Sequence, residues 1–198
     1  DHASGGSTKI RKGAVSVKLL ASDAMALAID YQVRLLPSIP DSDLLLKRSS
    51  LLLEGLRLLK VPTLITQQYT RGLGMSHPSI FQSAGTDKKK KKITFSCYQS
   101  DTIRQTIQDL HRPQIILCGI EAHICVLQTA LDLLDAGFSV VFAGDCISSR
   151  HSRDRSAAFE RLIQAGAIPT TAEALLYELM VTAEHPAFKK ISGLVKQG

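Results

Sequence analysis

No stretch of this chain is apolar over the ~18–20 residues needed to span a bilayer. Its most leucine-rich segment, 44–59, is interrupted by Lys47, Arg48, Glu54 and Arg57. None of the four cysteines, Cys97, Cys118, Cys125 and Cys146, forms a CxxC pair or shows metal-ligand spacing. A zinc module is therefore excluded, and reduced thiols in a reducing compartment are expected. No internal repeat marks a solenoid, and residues 1–12 hold no apolar signal-peptide core. They read as part of a polar tail, 1–20, ahead of one domain, 21–198. A soluble, cytoplasmic protein with no membrane partner is expected. The chain starts at Asp1 rather than Met, which leaves a trimmed targeting segment, and so a mitochondrial address, open.

What is present is an ordinary globular composition: 198 residues, 44% hydrophobic and 21% charged. A chain of this length buries roughly 70% of its unfolded surface and needs no disulfide staples. The formal charge is +6, but residues 88–92 are five consecutive lysines, and the rest of the chain carries only +1. A basic excess concentrated in one segment is a weaker pointer to nucleic acid than a basic surface would be.

Along the chain, short apolar runs alternate with helical patterns. Strands are expected at 24–29, 61–66, 114–118, 139–143 and 167–170. Helices are expected at 44–59, from Ser100 or Asp101 to Leu110, and at 122–136, 153–165 and 185–195. Thr170 and Glu173 resemble a capping box for a further helix ending at Met180. In 44–59, leucines 45, 52, 56 and 59, flanked by 44, 51 and 58, form a wide stripe. It suits packing on a sheet and offers a motive for self-association. The segment 67–97 is too long for a casual connection and reads as a lid or binding loop. The alternation implies parallel strands with helices on both faces. The fold expected is a three-layer α/β/α domain with a mostly parallel, six-stranded, Rossmann-like sheet, one strand more than the pattern marks. Ligands of such sheets sit beyond the carboxyl ends of the strands.

Two residues there stand out. Asp30 follows six apolar residues and serves either as a site carboxylate or as a turn cap. Cys125 falls in the first turn of a helix after Gly119. In that position unpaired N–H groups and the helix dipole favour a thiolate and can hold an oxyanion. The alternative is a small hydrophobe facing the sheet. Tyr69 either lines the pocket or packs over the sheet edge. His123 either points at the pocket mouth or lies on a helix surface. His77 reads as a loop residue.

Several segments resemble the isochorismatase-like cysteine hydrolases, and more narrowly the isochorismatase domain-containing proteins. They are Asp30-Tyr31-Gln32, Gln68-Tyr69 with Gly72-Leu73-Gly74, Lys92-Ile93-Thr94-Phe95-Ser96 and the run from Cys118 to Thr129. The run Asp145 to Arg150 and the C-terminal His185-Pro186-x-Phe188-Lys189 fit as well. The resemblance implies an Asp30–Lys92–Cys125 triad: Asp30 as general base, Lys92 between the two anionic groups, Cys125 as nucleophile. It also implies an oxyanion hole from the backbone N–H groups of Glu121 and Cys125, with a cis peptide at Ile120–Glu121. Gln32, Tyr69 and Ile120 become candidate substrate contacts. The family's Lys-x-x-Phe-Ser spacing selects Lys92 from the lysine run. The other four lysines form a solvated, self-repelling loop or contact a phosphate or nucleic acid. No aromatic residue interleaves them to stack on bases.

Nicotinamidase-type relatives carry an Asp-x-His-x-x-His metal set after the second strand, where this chain has Gln67-Gln68-Tyr69-Thr70-Arg71. No metal and no cofactor are therefore expected. The expected activity is hydrolysis of a small amide or related carbonyl substrate by a homo-oligomer, a dimer or larger. The rivals are a nucleic-acid-associated protein or ribonuclease using the lysine run, a non-catalytic scaffold, and an isochorismatase cleaving a vinyl ether.

Overall fold

The computed structural model describes residues 18–197. Positions 1–17 of the expected tail lie outside the described residues. The next few residues are tied to the body: Leu19 is buried and its N–H donates to Glu178, and the Leu20 N–H donates to Gln114.

Six strands form one sheet in the order β3-β2-β1-β4-β5-β6, every pairing parallel. They are β1 (Ala24–Ile29), β2 (Thr63–Gln68), β3 (Lys89–Lys92), β4 (Gln114–Ile120), β5 (Ser139–Ser148) and β6 (Ile168–Thr170). The helices are α1 (Ser42–Leu58), α2 (Thr70–Leu73), α3 (Pro78–Ala84), α4 (Asp101–Asp109), α5 (Leu127–Asp135), α6 (Ser152–Gln164), α7 (Ala172–Met180) and α8 (Phe188–Gln197).

The strand order reverses between β1 and β4. Crossovers of one hand therefore put helices on one face while the sheet grows one way and on the other face when it turns back. The side chains of β1 record both layers. Ala24, Ala26 and Ala28 face the cluster that includes α1, α3, α7 and α8, whereas Met25, Leu27 and Ile29 face α4, α5 and α6. The small alanines let the leucine-rich α1 sit close to the sheet. Leu45, Leu52 and Leu56 are consumed there, and α1 packs on α3, α7, α8 and β5. The leucine stripe is thus spent within the chain and does not supply the expected surface for self-association.

The segment 67–97 differs most from expectation. It is not an irregular lid, because it contains the end of β2, then α2, α3 and the edge strand β3. Four of the five lysines are that strand, paired in parallel with Ile65–Gln68. Lysine is a poor strand former in isolation, but at a sheet edge it discourages pairing with other chains. Tertiary pairing overrides the local signal. Smaller differences have similar causes. β2 starts after Pro62, whose carbonyl accepts the Ala26 N–H, because proline cannot donate to the ladder. β5 continues past 143 through an irregularity in its pairing with β4. The α7 cap is Thr171, which accepts from the Ala174 N–H, not Thr170. Among the described residues no helix is long and apolar enough to cross a membrane.

Candidate active site

The site occupies the crevice where the strand order reverses, at the carboxyl ends of β1 to β4, the usual place for a ligand in an open parallel sheet. Its floor depends on Gly119, with φ +131. A Cβ there would stand 2.1 Å from the Ile29 carbonyl oxygen, so only glycine lets β4 approach β1 this closely.

Asp30 leaves β1 with φ +54 and is fully buried. One carboxylate oxygen accepts from Thr66 Oγ1 at 2.8 Å and the other from Lys92 Nζ at 2.8 Å. Lys92, the last residue of β3, is equally enclosed. Its ammonium also donates to Gln68 Oε1 at 2.7 Å, Phe95 O at 3.0 Å and Thr94 O at 3.2 Å. Burial alone would lower the Lys92 pKa. The Asp30 charge, with smaller contributions from Cys97 and Cys125, outweighs it and holds the ammonium above its ordinary range.

The chain leaves β4 through a cis Ile120–Glu121 bond and enters a π-helical turn, Ala122–Val126, before α5 begins. Such turns are frequent at functional sites. Cys125 lies in this turn, 6% exposed, within electrostatic reach of Asp30 and Lys92. Its thiol is raised rather than lowered. Burial is the largest cause, the Asp30 charge adds to it, and Lys92 opposes without prevailing. The expectation of a thiolate stabilised by a helix terminus is thus reversed in the free protein. The local element is a π turn, and the enclosed carboxylate disfavours a second anion beside it.

The other expected contacts divide. Gln32 is fully buried; its amide donates to the Gln68 and Gly74 carbonyls and accepts from the Gln68 N–H. It clamps the β1 loop to the end of β2, and both its N–H donors are taken. Ile120 is wholly inside the core, leaving only its backbone at the crevice. Tyr69 is 56% exposed, its N–H donates to the Lys92 carbonyl, and its ring lies over Gly72. His77 caps α3 by accepting from the Ser79 N–H. His123 is held by Ser149 Oγ at 2.9 Å and lies 3.7 Å from an Asp154 oxygen, so it faces the loop before α6. Glu121 accepts from both the backbone N–H and the Nε of Arg150, bracing the turn.

Three residues escape sequence reasoning. Thr66 and Gln68, two apart at the end of β2, hold Asp30 and Lys92. Their period-2 spacing is the available signal, hidden because the apolar pattern ends that strand at residue 66. Cys97 has no evident partner in sequence. It lies 3.7 Å from Thr66 Oγ1, and burial pushes its thiol up to about 11. All four cysteines are free and buried.

The isochorismatase domain family matches residues 24–174. Isochorismatase domain-containing protein 2 of Danio rerio is 35% identical over 179 residues, 90% of this chain and 89% of that protein. The structure of MAR1 ribonuclease from Caenorhabditis elegans superposes with a TM-score of 0.84 at 33% identity, covering 90% and 92% of the two chains. The YcaC gene product of Escherichia coli, described as an octameric hydrolase of unknown specificity, gives a TM-score of 0.81 at 21% identity over 91% and 96%, a likeness of fold. The chain belongs to the isochorismatase family, whose members are generally hydrolases.

Proposed function

We propose that this protein is a cysteine hydrolase of small amides or related carbonyl compounds, with Cys125 as nucleophile, Asp30 as base and Lys92 as the cation that organises them. The observation that carries this reading is the buried Asp30–Lys92 pair, 2.8 Å apart, in the crevice that Cys125 also faces. A buried ion pair is rarely worth its desolvation for stability alone, and at a strand-order reversal it is a strong pointer to chemistry.

In the proposed reaction Asp30 takes the thiol proton as the Cys125 sulfur bonds to the carbonyl carbon. Proton transfer coupled to attack suits a thiol that is neutral at rest. The oxyanion forms against the N–H groups of Glu121 and Cys125. Collapse breaks the carbon–nitrogen bond, and the amine departs with the proton held by Asp30. Water, deprotonated by Asp30, then cleaves the thioester, releasing the acid and restoring the thiol. Lys92 stays charged throughout and keeps the carboxylate oriented. A nucleophile only 6% exposed favours a slim substrate.

Screening a small-amide library and trapping the acyl-enzyme by intact mass tests the reading. Cys125→Ala is expected to abolish both adduct and turnover, and Asp30→Asn to slow turnover by ~10²–10⁴-fold. Unchanged turnover in Cys125→Ala would overturn it.

Ribonuclease action is a second reading, favoured by the name of the Caenorhabditis elegans neighbour. It predicts cleavage of single-stranded RNA that persists in Cys125→Ala. Self-association also belongs to this proposal. Its motive is the exposed apolar rim of Val33, Tyr69, Met75, Ile93 and Phe95 near the carboxyl end of the sheet. A concentration-independent monomer in sedimentation would remove it.

A further inference from the structure

Three of the four lysines of the run that the proposed reaction does not use, Lys88, Lys89 and Lys90, form part of a cleft at the opposite end of the same strands. It encloses about 460 Å³ at the amino ends of β2 and β3. Among the described residues, five cationic side chains line it, Arg57, Lys60, Lys88, Lys89 and Lys90, and no acidic residue does. Among the described residues, none of these four lysines has a carboxylate within salt-bridge range, while Arg57 lies 3.8 Å from Glu54. Cations gathered this way repel one another, and a bound anion relieves that repulsion.

The cations come from two separate parts of the fold. Arg57 and Lys60 come from the end of α1 and the turn after it, and the three lysines from the residue before β3 and its first two positions. Strand alternation turns Lys89 toward α3, where its ammonium sits 5.9 Å from the Phe81 ring centre, and turns Lys90 the other way. The cleft therefore wraps around the sheet edge, with Ala84 on one side and Thr106 of α4 on the other. Gly85, at φ +66, ends α3. A Cβ there would stand 2.5 Å from Arg57 Cδ, so its absence gives the arginine stem its path to the cleft.

We infer that this cleft binds an oligophosphate anion, held through its phosphate groups by Arg57, Lys60, Lys88, Lys89 and Lys90. The remaining wall is aliphatic or hydroxylic, with no aromatic ring among the lining residues. Bases would find no stacking platform, so recognition rests on phosphate charge and is indifferent to base identity. A free oligophosphate and a nucleic-acid backbone share this chemistry.

The test titrates the full chain with inorganic tripolyphosphate by calorimetry and with a labelled single-stranded RNA dodecamer by anisotropy. Competition between the two probes distinguishes the sources. Binding of the RNA is expected to weaken roughly 50- to 130-fold as salt rises from about 50 to about 200 mM, the counterion release for four or five phosphate contacts on a single strand. Two double variants, Lys88→Gln with Lys90→Gln and Arg57→Gln with Lys60→Gln, should each weaken it at least tenfold. The second pair lies outside the strand, so its effect cannot be assigned to lost sheet pairing. Tighter binding of RNA, displaced by tripolyphosphate, supports a nucleic-acid source; tighter binding of tripolyphosphate supports a free one. Failure of both probes to bind at low salt, RNA binding that tripolyphosphate does not displace, or unchanged affinity in both variants would overturn the inference. Cys125→Ala should bind like the parent, which keeps this outcome separate from the fate of the hydrolase reading.

Discussion

One run of lysines serves two environments in this protein. Lys92, at the carboxyl end of β3, is buried against Asp30, Gln68 and two carbonyls. Lys88, Lys89 and Lys90 open into a basic cleft, with no carboxylate in salt-bridge range among the described residues. The residue type is the same and the positions are at most four apart. What differs is the neighbouring strand end. β2 presents Thr66 and Gln68 at the crevice, whereas Thr63 and Leu64, with Val61 and Pro62 just ahead of the strand, line the cleft. The lesson is that in an edge strand the charge of a side chain says little until its partner across the ladder is known.

The sharpest way to break this comparison is to remove one charge at each end. Lys92→Met leaves Asp30 buried without its cation and should cost ~3–5 kcal/mol in chemical denaturation. Lys90→Met should stay within ~0.5 kcal/mol, as surface substitutions generally do. Equal losses would show that the two ends do not differ. Next in size, Thr66→Val keeps the shape but removes a hydrogen bond to the buried carboxylate, for a loss of ~1.5–3 kcal/mol by the same measurement.

The thiols behave as a further contrast with the open cleft. Burial raises Cys97, Cys118, Cys125 and Cys146 in the folded protein, so folding favours their neutral forms. Their contribution is intact below the ordinary thiol pKa of 9.0. It is lost as pH rises from there toward the folded values, because the unfolded thiols ionise first. Thermal denaturation should therefore show stability falling above about pH 9, by ~1.4 kcal/mol per thiol for each pH unit. A flat profile between about pH 8 and about pH 10 would contradict this. The smallest expected effect is kinetic. Asp30→Asn removes a charge that raises the Cys125 thiol, so its alkylation near neutral pH should speed up several-fold even as any turnover falls. Mass spectrometry of each cysteine reads this, with buried Cys118 as the internal control.

Much of this architecture is legible in the amino-acid order. The apolar run 24–29 is β1 to the residue, because a strand buried on both faces must be apolar throughout. Asp30, Lys92 and Cys125 stand out by strand-end position and by family spacing, and the fold brings them together. Gln32 and Ile120 are legible as positions but not as contacts. The fold uses the first as a clamp and the second as core. The capping threonine falls one residue later than its sequence pattern indicates, since Thr170 and Thr171 are chemically equivalent until the backbone selects one.

The sequence by itself determined the alternation of strands and helices and the α/β class, because these follow from local periodicity, while Asp30, Lys92 and Cys125 are picked out by the family resemblance. Only the tertiary structure decided that a lysine run is a strand, that α1 hides its leucines inside the chain, and that burial beside Asp30 raises the Cys125 thiol. Each of these depends on a partner distant in sequence: the β2 ladder, the alanine face of β1 and the Asp30 carboxylate. Pairing, burial and charge proximity are properties of the assembled fold.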